Sequence, residues 1–130
     1  MQQSKASFVI PQNLFASAPA LEVRELGRGK EITQKQALTE VEALNKPADA
    51  EFVWRLETRN ELVALIDLGH KNANSAYSRD ETLRADWYWT SDEHPEFEGA
   101  RVVVGFHFGF VYNDFGNFRC FARAVRVARQ

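Results

Sequence analysis

The stretch from Phe52 to Gly69 places the strongest constraint on how this 130-residue chain folds. FVWRL is a short run of β-prone residues, and Thr58 follows it with Glu61 three residues later. That spacing is a capping box, in which each side chain bonds the other residue's backbone amide. We expect a helix to follow, with its core stripe and its stop at Leu62, Leu65, Ile66 and Gly69. The segment therefore predicts a strand that leads directly into a helix.

A second helix is predicted to begin at Thr33, which has Gln36 three residues on as its capping partner. Its core stripe would be Ala37, Leu38, Val41 and Leu44. Residues 1–31 before it are predicted to be an N-terminal strand and loop region, in which LEVREL alternates like a strand. Residues 70–85 are polar and indicate a loop. We thus expect two helices in the N-terminal two-thirds of the chain.

The C-terminal part predicts β structure. DWYWTS is aromatic and strand-prone, and its Trp87 and Trp89 would share one face. From Ala100 the chain is typical of a three-stranded meander, with strands ARVVVGF, FVYND and FRCFARAVRV. In the third strand, Arg119 and Arg123 are expected to face outward, while the core face carries Phe118, Cys120, Ala122 and Ala124.

Aromatic residues are concentrated in FHFGFVYNDFGNFRCF, residues 106–121, where seven of sixteen residues are aromatic. We expect the inside of the meander to hold Phe106, Phe110, Phe118 and Cys120. The candidate ligand-binding residues are those near the turns: Phe108, Tyr112, Asn113, Phe115, Asn117 and Arg119. Rings beside amides and an arginine are typical of adaptable binding surfaces, because rings supply area at low entropic cost and amides supply hydrogen bonds.

Composition narrows the class of protein. With 45% hydrophobic and 26% charged residues, the chain resembles an ordinary globular domain, and we expect residues 1–130 to form one. It has no apolar run of about 20 residues that would cross a membrane, and its N-terminus lacks a signal-peptide pattern. One cysteine and a net charge of −2 favour a cytoplasmic protein that does not bind nucleic acid directly.

Few residues are placed for catalysis. His70, His94 and His107 lie in separate loops without the spacing of metal ligands, and Cys120 is expected to be a buried, inert thiol. The acidic run of residues 91–99 has oxygen ligands suited to calcium, but a solvated loop is the simpler interpretation. We therefore expect no enzyme activity, no cofactor and no bound metal.

Four motifs in order carry a resemblance to a known family: WRLETRNELVALID, WYWTS, an Ala-led strand with a Phe-Gly turn, and FRCFARAVR. Over about residues 35–127 the chain closely resembles the Lcl C-terminal domain family, which occurs in bacteria and phages. It departs from the family at Glu57, where proline is usual, and it lacks the usual Gly-Leu-Met-Trp opening in its first thirty residues.

The resemblance implies an α+β, C-type-lectin-like fold, with two helices packed on a small twisted antiparallel sheet and the terminal strands paired. That fold is similar to formylglycine-generating enzymes, but their chemistry needs paired cysteines and this chain has one. The motifs together with the aromatic turns predict a non-catalytic module that binds a protein or a glycan.

Two other hypotheses stay open. Some target proteins of diversity-generating retroelements have this fold, and the turn residues are of the kinds that randomised adenine codons yield. Alternatively, the chain is a small phage or mobile-element protein that inhibits a host defence complex, as anti-CRISPR proteins do. In that case the acidic residues 92–98 would imitate nucleic-acid phosphates. The sequence leaves the oligomeric state open.

Overall fold

A computed structural model describes residues 8–10, 20–46, 52–115 and 118–128, with the backbone alone at 8–10 and 113–115. In chain order the elements are β1 (Phe8–Ile10), β2 (Leu21–Glu25), α1 (Gln34–Leu44), β3 (Arg55–Leu56), α2 (Arg59–Val63), β4 (Ile66–Lys71), β5 (Tyr77–Ser78), β6 (Trp87–Glu93), β7 (Ala100–Gly105), β8 (Phe110–Phe115) and β9 (Arg123–Val127). A 3₁₀ turn, Gly27–Gly29, separates β2 from α1. The described part of the chain is thus mixed α and β, with two α-helices and small antiparallel sheets.

Strand β9 is central in the first sheet, whose order is β1-β2-β9-β3. It pairs antiparallel with β2 over five positions, from Leu21↔Val127 to Glu25↔Arg123. Its other edge pairs with β3, where Arg55 lies opposite Val125. The two ends of the described chain therefore meet in one sheet, as the family resemblance implies.

The predicted meander is correct for two strands and wrong for the third. Strands β6, β7 and β8 form an antiparallel sheet in that order, with Tyr88↔Val104 and Val104↔Val111 in register. After β8 the chain crosses to the far side of β6, where the Phe121 amide bonds Trp87 O and the Trp89 amide bonds Phe121 O. It then enters the first sheet as β9. The predicted third strand therefore pairs with β2, about one hundred residues earlier in the chain, and not with β8.

Both predicted capping boxes are confirmed. The Thr33 and Gln36 side chains bond each other's backbone amides at the start of α1, and those of Thr58 and Glu61 do so at the start of α2. On α1, Ala37 is buried, but Leu38 is 41% exposed and does not belong to the core stripe.

The helix predicted to follow Thr58 is shorter than expected. Helix α2 ends at Val63, and Ile66–Lys71 is a strand that pairs with β5, so residues 70–85 also contain a short hairpin partner. Leu62 and Leu65 are nevertheless buried, as expected. Among the residues described, neither helix is long and apolar enough to cross a membrane.

The apolar interior forms two clusters on opposite faces of the strands. One is centred on Leu62, Tyr88, Val104 and Phe106, and the other on Trp54, Trp89, Val103 and Cys120. Cys120 is thus buried, as predicted. Strand β9 separates the clusters, with Val125 in one and Ala124 in the other. The first three residues of β9, Arg123 to Val125, are therefore buried whichever face they point to.

Arg123 lies within this interior, against the prediction that it faces outward. It donates two hydrogen bonds to the Glu57 carboxylate, at 2.8 and 2.7 Å, and one to Asp80 at 3.0 Å. Burial lowers the pKa of Arg123, but the two carboxylates raise it more, so the guanidinium stays charged. The prediction was wrong because it assumed that one face of β9 is open to solvent.

Candidate ligand-binding face

Five side chains form a continuous aromatic surface, which we call the aromatic face: Trp87, His107, Phe108, Phe110 and Tyr112. Trp87 begins β6, Phe110 and Tyr112 lie on β8, and the other two lie in the turn between β7 and β8. Phe108, Phe110 and Tyr112 are 62%, 46% and 60% exposed. Apolar rings held together at this exposure are a feature of binding surfaces more than of folding cores.

Strand register brings the rings together. Trp87 on β6 lies opposite Gly105 on β7, and Gly105 lies opposite Phe110 on β8. Since side chains in one row point to the same face, the missing side chain of Gly105 leaves space between two rings. A Cβ atom at Gly105 would lie 2.8 Å from His107 Cε1 and 2.9 Å from Trp87 Cζ3. Gly105 therefore provides the space in which Trp87 and His107 meet edge to face.

Trp87 is the centre of the ring contacts. Its ring centroid lies 4.9 Å from that of His107 and 5.4 Å from that of Phe110, both nearly perpendicular, and 6.0 Å from that of Tyr112. Edge-to-face pairs at such distances contribute about 0.5–1.5 kcal/mol each beyond their buried area. The rings thus hold one another in place while they remain half exposed.

The turn after β7 fixes Phe108 above Phe110. Gly109 has a φ of 79°, which favours glycine, and its amide bonds Gly105 O at 2.9 Å. A Cβ atom at Gly109 would lie 2.6 Å from the side chain of Leu68, so the turn packs closely on β4. The rings of Phe108 and Phe110 are stacked, with centroids 5.7 Å apart. The exposed Leu68 extends the apolar surface beyond the turn.

The predicted binding residues divide into three groups. Phe108 and Tyr112 belong to the aromatic face, and Arg119 is exposed on the segment that precedes Cys120. Asn113 and Phe115 lie on β8, but their side chains are outside the described part of the chain. Asn117 lies outside it altogether.

Two residues predicted to be core are on the surface. Phe110 is 46% exposed and Phe118 is 53% exposed, whereas the core residue of β8 is Val111, which packs against the first cluster. The prediction assigned the wrong alternate face of β8 to the interior. Phe106 is fully buried, as expected.

Trp87, His107 and Leu68 were missed as site residues. The only signal for Trp87 was that it lies two residues before Trp89, on the same face of a strand. A core position has the same spacing, so the signal did not indicate a binding site. His107 Nδ1 is buried and has no hydrogen-bond partner among the described residues. No sequence signal distinguished it from a turn histidine.

Two carboxylates, those of Asp86 and Glu31, lie close to the backbone at the start of β6. Asp86 Oδ1 accepts the backbone amide of Trp87 at 2.8 Å, and Glu31 lies beside Asp86. Partial burial, together with the Asp86 carboxylate and a hydrogen bond to it, raises the pKa of Glu31. In the described residues, no lysine, arginine or histidine forms an ion pair with either carboxylate.

The acidic hairpin between β6 and β7 is held largely by the protein's own groups. His94 Nδ1 accepts the amides of Glu96 and Phe97, and Asp92 accepts the amide of Arg59 at 3.3 Å. Arg101, which is buried, donates to the backbone oxygens of Thr90 and Ser91. No group of three or more metal-ligating side chains occurs within the ranges that the structure describes. Glu93, Glu96 and Glu98 stay exposed at the tip.

Comparison with known proteins gives one result. The family model of the Lcl C-terminal domain matches residues 5–126, which reaches further toward the N-terminus than the motifs alone suggested. No curated protein and no solved structure gave a significant match. Since the match spans nearly the whole sequence, the chain belongs to the Lcl C-terminal domain family.

Proposed function

We propose that this protein is a non-catalytic binding module that recognises a protein or a glycan through the aromatic face. The observation that carries the proposal is the exposure of Phe108, Phe110 and Tyr112, three rings on one hairpin. Rigid aromatic side chains supply contact area with little loss of rotamer entropy, which is why they dominate binding energy at many interfaces.

The fixed geometry of the rings supports the same proposal. Trp87 and Phe110 contact each other edge to face, Gly105 leaves the space that Trp87 occupies, and Gly109 forms the turn before Phe110. A surface that is already ordered before the ligand arrives loses less conformational entropy on binding. We further propose a C-type-lectin-like arrangement, supported by the pairing of β2 with β9 and by the presence of two helices.

The test is the double substitution Phe108→Ser/Tyr112→Ser, in which both changed side chains are largely exposed. Ligands would be sought on a glycan array and in a displayed library of protein fragments. We expect at least about a tenfold loss of affinity for each ligand of the unmodified chain, because interface rings are common hot spots. The melting temperature should stay close to that of the unmodified chain.

Phe97→Ser is the matched control, because Phe97 is 53% exposed and lies in the acidic hairpin. It should retain every ligand. The proposal fails if the double variant binds as well as the control, or if neither collection yields a ligand.

A second candidate function is inhibition of a host defence complex by the acidic hairpin. The observation that favours it is the exposure of Glu93, Glu96 and Glu98 at one hairpin tip. We propose that such inhibition would act in the cytoplasm, where the thiol of Cys120, the single cysteine of the sequence, stays reduced. This function would be identified if Glu93→Gln/Glu96→Gln/Glu98→Gln abolished inhibition and Phe108→Ser/Tyr112→Ser left inhibition unchanged.

A further inference from the structure

We propose that the aromatic face binds a peptide segment with an apolar side chain and, about three residues away, an arginine or lysine. The apolar side chain would lie on Phe108, Phe110 and Tyr112, and the cation would lie at the Trp87 end, beside Glu31 and Asp86. This inference rests on the proposed function and names its class of ligand.

The rings suit a cation at one end of the face. Aromatic faces carry negative electrostatic potential, and tryptophan attracts cations most strongly. Trp87 is half-buried, and the Asp86 carboxylate accepts the backbone amide of the same residue. A cation at the Trp87 end of the face would therefore have a ring and a carboxylate of the preceding residue as neighbours.

The two carboxylates lack a cation of their own. Glu31 and Asp86 interact with each other, and no basic side chain forms an ion pair with either one within the described ranges. Neighbouring carboxylates repel each other, so a ligand cation would gain from both of them at once. Arg119 is an exposed cation on a neighbouring segment. The residue after it, Cys120, forms a β-bridge with Ile32, which directly follows Glu31.

Anionic ligands fit this face poorly. The net charge is −2, and a carboxylate, that of Asp86, binds the backbone amide of Trp87. Arg84 is held by Gly29 O and lies over the Phe121 ring, and Arg24 and Arg126 lie over the ring of Trp54. These cations serve contacts within the protein and are not arranged to grip a phosphate or sulfate.

The dimensions suit a short peptide that crosses the strands. The face runs from β8 across β7 to β6. Two strand spacings are about 10 Å, which is about the span of three extended residues. A neutral sugar would also stack on rings, but it would bring no charge to the Glu31–Asp86 pair.

The experiment is a selection of random dodecapeptides displayed on phage against the full chain. We expect the selected peptides to be enriched in arginine or lysine at about three residues from an apolar residue. A synthesised peptide from the selection would then be titrated by calorimetry. Its affinity should fall at least about tenfold with Phe108→Ser/Tyr112→Ser and about tenfold with Glu31→Gln/Asp86→Asn.

The charge control is Glu93→Gln/Glu96→Gln, which changes the net charge equally at the distant acidic hairpin and should leave the affinity unchanged. Arg119→Gln should strengthen binding slightly, because it removes a like charge. Asparagine at position 86 keeps the acceptor for the Trp87 amide, so the fold is preserved.

The outcomes separate this inference from the proposed function. Peptides without cations, or affinity that is insensitive to Glu31→Gln/Asp86→Asn, would overturn the inference and leave the binding face standing. The inference would also be overturned, with the proposed function intact, if no peptide were selected and a neutral or sulfated glycan bound through Phe108 and Tyr112. Peptides whose binding is insensitive to Phe108→Ser/Tyr112→Ser would contradict both.

Discussion

Glu57 and Arg123 form a two-point ion pair inside the protein, with both side chains only 1% exposed. The pair links the residue before the α2 capping box to the first residue of β9, 66 positions away in sequence. Asp80 and Thr82 accept the remaining Nη1 hydrogen bonds of Arg123. Glu57 stands where the family motif usually has proline, so this carboxylate is a departure of this chain from that motif.

Removing one partner of this pair should destabilise the fold strongly. We expect Glu57→Leu to lower the free energy of unfolding by about 3 kcal/mol, because it removes two charge-assisted hydrogen bonds from the buried Arg123. The double variant Glu57→Leu/Arg123→Met should lose less than the sum of the two single variants. Urea unfolding of all four proteins measures this coupling. Additive losses would contradict a direct interaction.

Glu61 should make stability depend on pH. Burial raises the pKa of Glu61, but Arg55 and Thr58 lower it more, so its folded value lies below the ordinary 4.5. A lowered carboxyl pKa stabilises the fold above the ordinary value, and this contribution is lost as pH falls through the folded value. Burial raises the pKa of Glu57, and a raised carboxyl pKa changes stability with pH in the opposite direction to that of Glu61.

The variant Glu61→Gln isolates this contribution, since glutamine still completes the capping box. We expect Glu61→Gln to be less stable than the unmodified chain at pH 7, and the difference to shrink at pH 3. Urea unfolding at both pH values measures it. A difference that stays constant between the two pH values would show that the Glu61 charge does not contribute.

Asn72 should be essential to the loop between β4 and β6. Its amide nitrogen donates to the backbone oxygens of Asp80 and Leu83, and its Oδ1 accepts the amides of Asn74 and Ala76. Asn72→Asp keeps the acceptor and loses both donors, so we expect a loss of about 2–3 kcal/mol. Hydrogen exchange should speed up at the amide of Ala76. Asn74→Asp, at an exposed neighbour, is the control and should cost less.

Gly105→Ala should disturb the aromatic face directly. The added Cβ would lie under 3 Å from atoms of both Trp87 and His107, so at least one ring must move. We expect a loss of about 1–3 kcal/mol and a shifted indole resonance of Trp87. Gly69→Ala is the matched control, because its Cβ would approach only Asp67 Oδ1, at 3.3 Å. An unchanged indole resonance in Gly105→Ala would contradict the ring packing.

Local signals in the sequence predicted local structure well. Both capping boxes lie within four residues, so neighbours alone decide them, and both are present. The alternation of LEVREL likewise predicted β2. The length of α2 was wrong because Ile66–Lys71 gains hydrogen bonds from β5, a partner outside the helix pattern.

Long-range pairing was beyond the sequence. FRCFARAVRV has the alternation of a strand, but nothing in it tells whether β8 or β2 is the neighbour. Because the neighbours of each strand could not be predicted, Phe110 was wrongly assigned to the core and Arg123 to the surface. Burial of a strand position depends on what covers each face, and the coverage of β9 comes from both apolar clusters. For the candidate site, the aromatic density was visible, while its outward face was not.

The position of β9 has a consequence for synthesis on the ribosome. The strand that joins β2 to β3 is Arg123–Val127, so both earlier strands lack their shared partner until that segment has left the exit tunnel. The Glu57 carboxylate likewise waits for Arg123. Until then the nascent chain exposes unpaired strand edges, and the carboxylates of Glu57 and Asp80 lack the guanidinium that they bind in the fold. A chaperone that shields such edges would therefore act on this protein until β9 has emerged.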